Sequence, residues 1–396
     1  MGIKVVSLFG GMECGCEALK KVGIEIESYH SCEIDKYAIQ TANKNHPEII
    51  QMGDVKNWKS WDVDWGSIDL LLAGFPCQSW STAGKQGGDT DPRGQLMWVM
   101  LDILNHIRSI NPDVKFLFEN VRMKGQFLNY VNEAIGVKPI MINSALLSAQ
   151  NRERYYWTNI GKSYYDLFGV AECAISHPED KKIILNDILE DEVDIKYFLS
   201  ERMVKGFLNR INTGYKIDFK PRDISGKATT LMANCHRQCC SDNYVYDDIP
   251  MGIYNTPRGN NKGGLRHDGE KSPTLTKNSW EYNNLLINHN SCNLIGTFGS
   301  GGQGERIYDT NGKSVTLSSQ SGGKGGKTGL YLVNGKGIRR LTPIECERLQ
   351  TLPDNYTSGI SDTQRYKCCG NGWTVDVVAH ILKELKQEIE KEKELT

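Results

Sequence analysis

The order of elements along the sequence predicts an α/β protein, a doubly wound, mostly parallel sheet carrying a smaller, glycine-rich and mainly β domain. Three observations predict it. Over residues 1–160, apolar runs of strand length alternate with amphipathic stretches of helix length, the pattern of repeated βαβ units. From about residue 165 the strands shorten and glycine becomes dense, with 13 of the 40 glycines between 291 and 340. After residue 338 ordinary amphipathic helix returns. The expected division is therefore 1–165, 166–337, and a C-terminal segment, 338–396, that rejoins the first domain.

The elements follow in order. Val5-Val6-Ser7-Leu8-Phe9 predicts the first strand, followed by a glycine-containing turn and a helix from Cys16 to Val22. A second strand ends at Cys32-Glu33-Ile34-Asp35 and leads into a helix from Lys36 to Asn43, and a third ends at Gly53-Asp54-Val55. Ile68 to Ala73 reads as a strand buried on both faces, with a helix from Gln95 to Ile110 after it. Lys115 to Phe118 is a strand ending at Glu119-Asn120. In the middle region three related segments recur, Gly226-Lys227-Ala228-Thr229-Thr230-Leu231, Glu270-Lys271-Ser272-Pro273-Thr274-Leu275 and Gly312-Lys313-Ser314-Val315-Thr316-Leu317. Each has an arginine shortly upstream (Arg222, Arg266, Arg306), as in a repeated hairpin-like unit. Thr342-Pro343 supplies an N-cap and first-turn proline for a helix to Leu349. A long helix, Val375 to Leu395, is expected to be charged and solvated from Lys383 onward.

Composition narrows the function classes. Hydrophobic content of 39% and charged content of 24% are ordinary for a soluble globular protein. No stretch approaches the length of a membrane span, and the chain starts directly in a strand with no signal peptide. The expected location is the cytoplasm, without a membrane partner, and the twelve cysteines are then reduced thiols. A net charge of −1 seems to disfavour nucleic acid, but residues 201–340 carry 20 Lys and Arg against 11 Asp and Glu. That net of +9 within a near-neutral chain is the footprint of a polyanion partner.

Chemistry enters at Gly74-Phe75-Pro76-Cys77-Gln78-Ser79-Trp80-Ser81. A Pro-Cys step at the carboxyl end of a parallel strand places a thiol in the crevice where open α/β sheets bind ligands. Alone, such a cysteine is as readily a small buried apolar residue. Its company argues for more. The turn Ser7 to Gly15 can let a ligand approach the backbone closely, or be an ordinary tight turn. Glu33 stands about twenty residues on, where an acid commonly holds ribose hydroxyls. Asp54 is placed to accept from an adenine amino group, and no phosphate-loop lysine is present. Glu119 beside a thiol suits the binding or protonation of a ring nitrogen, or else caps a helix. Arg152 and Arg154 share one face of an extended segment and fit a carbonyl oxygen and a phosphate, or form a surface ion-pair strand. Cys235-His236 with Cys239-Cys240 has no second ligand pair at finger spacing, so free thiols and no metal are expected.

Taken together, Phe9 to Gly11, Glu33, Asp54, Pro76-Cys77-Gln78, Glu119-Asn120-Val121, Gln150-x-Arg152-x-Arg154, Arg340-Leu341-Thr342-Pro343-x-Glu345-Cys346-x-Arg348 and Gly370-Asn371-Gly372 resemble the DNA cytosine-5 methyltransferases. The motifs stand in that family's order from residue 3 to about 382. Gly301 to Tyr308, Thr316-Leu317-Ser318 and Lys327 to Lys336 are similar to the recognition segment of HhaI-type restriction-system methyltransferases, which modify GCGC. Gly84-Lys85-Gln86-x-Gly88 with Arg93-Gly94 resembles their mobile catalytic loop. Two positions depart from the family, Ser7 for its usual aspartate and Glu13-Cys14 for its usual glycine pair.

The resemblance implies a Rossmann-like S-adenosylmethionine-dependent methyltransferase fold with a target-recognition domain in the basic middle third. It implies S-adenosyl-L-methionine held by Phe9, Gly11, Met12, Glu33, Ile34, Asp54, Val55, Pro76, Leu96, Asn371 and Gly372. It implies Cys77, Glu119, Arg152 and Arg154 as the catalytic set, acting on a cytosine flipped out of double-stranded DNA. DNA contacts fall to Gln78, Ser81, Lys85, Arg93, Gln303, Glu305, Arg306 and Ser318, on a GC-containing target of the GCGC or GCNGC kind. The expected enzyme is monomeric, in a restriction-modification setting that can include a companion endonuclease; the sequence itself does not say whether one exists. The tRNA cytosine methyltransferases share these motifs, but the long basic insertion favours duplex DNA.

Overall fold

The computed structural model describes residues 2–76, 95–123, 125–161, 164–165, 171–198, 252–255, 264–267, 285–286, 294–297, 306–310, 312–317, 330–332 and 338–395. Strands β1 (Ile3–Leu8), β2 (Ile26–Cys32), β3 (Ile50–Gln51), β4 (Leu70–Ala73), β5 (Lys115–Val121), β6 (Val137–Lys138), β7 (Ile140–Asn143) and β8 (Glu153–Thr158) lie in the first part of the chain. Helices α1 (Cys14–Val22), α2 (Lys36–Asn45), α3 (Gln95–Ile110) and α4 (Gly125–Ile135) alternate with them. Seven of these strands form one sheet in the order β3-β2-β1-β4-β5-β8-β7. The pairs from β3 to β5 are parallel, and β8 runs antiparallel to both β5 and β7.

Alternation along the central strands separates two cores. Val5, Leu70, Leu72 and Leu117 face one side with α1 and the C-terminal helix. Val6, Leu8, Leu71, Ala73, Phe116 and Phe118 face the other, against α3 and α4. Strands covered on both faces must be apolar throughout, which is why β4 reads Leu-Leu-Leu-Ala. The strand order reverses between β1 and β4, where Leu8 pairs with Ala73. Their two exit loops therefore diverge and leave a crevice between them.

The C-terminal segment supplies α5 (Pro343–Leu349), α6 (Asp362–Asn371) and α7 (Val375–Leu395). Thr342 caps α5 as expected, and with Glu345 it closes a reciprocal capping box. Helix α7 packs on the first core as far as Ile389, and Glu388 bonds Gly161 N and Lys115. Its solvated end therefore starts near Glu390 rather than at Lys383.

Between these parts lie β9 (Tyr164–Tyr165), β10 (Ala171–Glu172), β11 (Gly252–Asn255), β12 (Gly264–His267), β13 (Leu285–Leu286), β14 (Leu294–Thr297), β15 (Arg306–Asp309), β16 (Leu330–Leu332) and β17 (Ile338–Arg339). Both β11–β12 and β14–β15 are antiparallel pairs, and Arg266 and Arg306 sit on the second strand of each. Of the three Lys…Thr-Leu segments, the first two lie outside the described residues. In the third, Lys313 is fully buried, and its Nζ donates to the carbonyls of Ala145 (2.8 Å), Ser148 (3.1 Å) and Ile183. That ammonium ties the segment to the loop before β8.

Candidate active site

A cavity of about 420 Å³ opens at the crevice between the β1 and β4 exits. Phe9, Gly11, Met12, Glu33, Ile34, Asp54, Val55, Pro76, Leu96, Asn371 and Gly372 all line it. Glu119, Arg152 and Arg154 line it as well. Residues far apart in the chain thus share one cavity, among them Leu96 from α3, Glu119 from β5, Arg154 from β8 and Asn371 from the end of α6. Cys77 follows Pro76 directly in the chain but lies outside the described residues, as do Gln78, Ser81, Lys85, Arg93, Gln303, Glu305 and Ser318. Arg306 is exposed at the start of β15, opposite Thr297. The Cys235–Cys240 cluster also falls outside the described residues.

The first loop is shaped by its backbone. β1 stops at Leu8 because Phe9 turns left-handed at φ 56°, and Gly11 follows at φ 60°. No atom lies within 4 Å of where a Gly11 Cβ would stand, so its bare backbone faces open space. Gly11 N donates to Glu33 Oε2 at 2.9 Å, while Glu33 Oε1 accepts from Ile34 N (2.7 Å) and Asp35 N (2.8 Å). These amides hold the Glu33 carboxylate at the pocket edge, just beyond β2. β3 covers only Ile50–Gln51, so Asp54 lies past it, capping a 3₁₀ turn through a 3.0 Å bond from Lys56 N.

The two positions that depart from the family pattern meet in space. Ser7 Oγ donates to Glu13 Oε2 at 3.1 Å, and Glu13, itself left-handed at φ 62°, is wholly buried behind the loop. Burial pushes its carboxyl up to about 7, against the lowering effect of its hydroxyl partners.

The opposite wall carries the polar pair. Arg154 Nε lies 2.9 Å from Glu119 Oε1, an ion pair with both side chains mostly shielded. The Nε–H does not point along that line, so the contact is ionic and not a hydrogen bond. Asn120 Nδ2 donates to Phe75 O at 3.1 Å and fixes the turn that delivers Pro76 beside Glu119. Arg152 is engaged elsewhere. It donates to the carbonyls of Leu317 (3.3 Å), Gly370 (3.3 Å) and Gly372 (3.0 Å), fastening the Leu317 segment and the end of α6 to its own at the pocket. Burial, with Arg154 beside it, holds its guanidinium down at about 10.

Three further thiols line the cavity, Cys14, Cys32 and Cys368. Burial pushes each up to about 12, so at neutral pH they are protonated and poor nucleophiles.

Sequence reasoning missed several lining residues. Asp35 and Lys367 form an ion pair across the wall, 332 residues apart, which no local signal foretells. Trp373 packs on Gly74, its Nε1 standing 2.8 Å from where a Cβ would lie. Its place directly after Gly370-Asn371-Gly372 was the available clue. Away from the cavity, Cys16, His46 and Glu48 bring their donor atoms within 4.8 Å of one another. Lys20 Nζ stands there, 2.7 Å from His46 Nδ1 and 2.6 Å from Glu48, and supplies the cation internally.

The family model for C-5 cytosine-specific DNA methylases matches residues 3–387. M.BanI, a type II methyltransferase of Aneurinibacillus aneurinilyticus, is 30% identical over 98% of this chain and 96% of its own. M.HhaI of Haemophilus parahaemolyticus is 27% identical over 96% and 93%, and the orphan methyltransferase M.SPRI of Bacillus phage SPR 28% over 97% of each. The solved structure of the Entamoeba histolytica methyltransferase EhMeth superposes with a TM-score of 0.58 at 14% identity, covering 98% of this chain and 99% of its own. It supports the Rossmann-like fold alone. Among the described residues, no helix is long and apolar enough to cross a membrane.

Proposed function

The chain belongs to the C-5 cytosine-specific DNA methylase family and is a DNA cytosine-5-methyltransferase, and from that premise we propose how it acts: it takes the methyl group from S-adenosylmethionine and places it on a cytosine flipped out of duplex DNA, through a covalent adduct on Cys77. One observation carries this reading. Pro76, Glu119 and Arg154 share a cavity with Glu33 and Asp54, so a base-handling wall faces a nucleoside-handling wall.

The residues suit the cofactor. Glu33 and Asp54 offer carboxylates to ribose hydroxyls and an adenine amine, with Phe9, Ile34, Val55 and Leu96 as apolar surface. The open space at Gly11 admits a ligand against the backbone. When bound, S-adenosylmethionine supplies an electrophilic methyl group.

C5 of cytosine is a poor nucleophile, so the protein must activate it. The Cys77 thiolate forms a bond to C6, and the displaced π electrons make C5 enamine-like. Glu119 holds the N3 edge and the exocyclic amine, stabilising the charge that develops in the ring. Arg154 binds the O2 carbonyl, and Arg152 keeps the loops around it in place. Once C5 carries the methyl group, loss of the C5 proton re-forms the double bond and expels Cys77. A duplex buries both ring atoms in the stack, hence the flipped base. Residues 78–94 act as the lid, with Gln78, Ser81, Lys85 and Arg93 on DNA.

Residues 166–337 are proposed as the target-recognition domain, with Gln303, Glu305, Arg306 and Ser318 on a GC-containing target such as GCGC or GCNGC. The type II names among the relatives support a restriction-modification setting.

Methyl transfer from labelled S-adenosylmethionine tests the reading, with duplex DNA and a tRNA transcript offered in parallel. Label in DNA at C5 of cytosine is expected. Label confined to tRNA overturns it.

A further inference from the structure

Glu13 is a buried carboxylate that the reaction above does not use. Glu345 and Glu347 are equally buried, but each is paired with an arginine, Arg339 and Arg365 respectively. Glu13 forms no ion pair among the described residues. Three hydroxyls surround it instead: Ser7 Oγ (3.1 Å) and Tyr29 OH (2.7 Å) donate to Oε2, and Ser31 Oγ donates to Oε1. A Cβ at Gly10 would collide with its carboxyl. Ser7 and Gly10 both line the cavity, so the carboxylate stands directly behind the pocket wall.

We propose that Glu13 is a positioning residue of the cofactor loop whose caged carboxylate favours the cationic sulfonium donor over the neutral thioether product. The proposal rests on the pocket being the S-adenosylmethionine site. Opposite charges in a poorly solvated region favour one another's charged forms, so a cation in the pocket and the ionised Glu13 stabilise each other. By linkage, the ionised carboxylate must raise affinity for the cation by the same factor. The product has lost its positive charge with the methyl group and gains nothing from this interaction. Hydroxyl partners suit the task, since each can rotate and either donate or accept as the carboxyl changes charge.

The groups acting on this charge come from each neighbouring element. Ser7 on β1, and Tyr29, Ser31, Cys32 and Glu33 at β2, face it. Cys14 and Cys16 on α1 do so too, with Tyr356 from the C-terminal segment. The thiols and phenols are all pushed upward and stay protonated at neutral pH. Glu33 opposes ionisation of Glu13, whose change falls near pH 7.

Calorimetric titration with S-adenosylmethionine and with S-adenosylhomocysteine, at pH 5.5 and 8.5, tests this on the apo protein. The two ligands share an amino-acid tail, so its own titration largely cancels in the affinity ratio. In the parent the preference for S-adenosylmethionine should rise about tenfold between the two pH values. In Glu13→Gln the ratio should stay flat. In Ser31→Ala, which removes one donor to the carboxylate, the midpoint of the rise should move to higher pH. A parent ratio independent of pH overturns the proposal, as does an undiminished rise in Glu13→Gln or an unmoved midpoint in Ser31→Ala. Failure of the parent to bind either ligand instead removes the cofactor reading, and this proposal with it.

Discussion

At the scale of single residues the proposed chemistry falls to Cys77, and the thiols that line the cavity are poor alternatives to it. Cys14, Cys32 and Cys368 are held protonated by burial. Cys77→Ser should therefore abolish methyl transfer while leaving DNA and cofactor binding intact, as filter binding and calorimetry can show. Near-parental turnover by that variant would contradict the mechanism. Glu33→Ala and Asp54→Ala should each weaken S-adenosylmethionine binding by about 1–3 kcal/mol, with DNA affinity little changed. Unchanged cofactor affinity in both variants would remove them from the site. Glu13 adds a pH effect on stability. Its carboxyl rises from an ordinary 4.5 to about 7 on folding, so the folded state holds a proton that the unfolded chain has released. Stability from this group is greatest below pH 4.5, declines as pH rises towards 7 and levels off above it. Thermal melts should then show Glu13→Gln gaining on the parent between pH 5 and 8. A constant difference in melting temperature across that range would contradict the raised value.

Elements were legible where their signals are local. Helices α3 and α7 keep the limits that their amphipathic patterns predict, and the Thr342-Pro343 start of α5 is capped as read. Local misreadings have local causes: Phe9 leaves β1 through its left-handed backbone, and β3 is only two residues long. Long-range ties were not legible, because nothing near Lys313 in sequence says that it docks among carbonyls from residues 145, 148 and 183. Nor does the sequence near Asp35 announce Lys367, or that near Ser7 announce a carboxylate six residues on. The motifs at the exits of β1, β2 and β4 meet because the sheet's reversal gathers strand ends at one crevice, whereas Gly370-Asn371-Gly372 reaches it from the end of α6. Lys313→Met tests the role of that segment as scaffold. It should leave three buried carbonyls without their donor and cost about 1–3 kcal/mol, lowering the denaturant midpoint with an unchanged slope. A variant as stable as the parent would contradict that role.

At the scale of the whole molecule, we propose that the charge distribution and the crevice divide the labour between holding DNA and modifying it. On that proposal the basic third, residues 201–340, holds the duplex by charge, and the acidic remainder contains the residues proposed for the cofactor. We propose Arg306 on β15 as a specificity residue, since arginine is the usual bidentate reader of guanine in the major groove. Arg306→Ala should relax discrimination at one guanine by about 1–3 kcal/mol, visible as additional methylated sites in bisulfite maps. A parental map lacking any GC step would remove the target assignment and leave the chemistry standing. Covalent catalysis by Cys77 on a flipped cytosine is open to direct test with duplex DNA carrying 5-fluorocytosine at the mapped target. After methyl transfer the fluorine at C5 cannot leave as a proton does, so elimination of Cys77 is blocked. A methylated protein–DNA adduct that survives denaturing electrophoresis is expected, with the cross-link at Cys77 in the digested protein and none formed by Cys77→Ser. No adduct from active parent enzyme, or an adduct at any other residue, would contradict it.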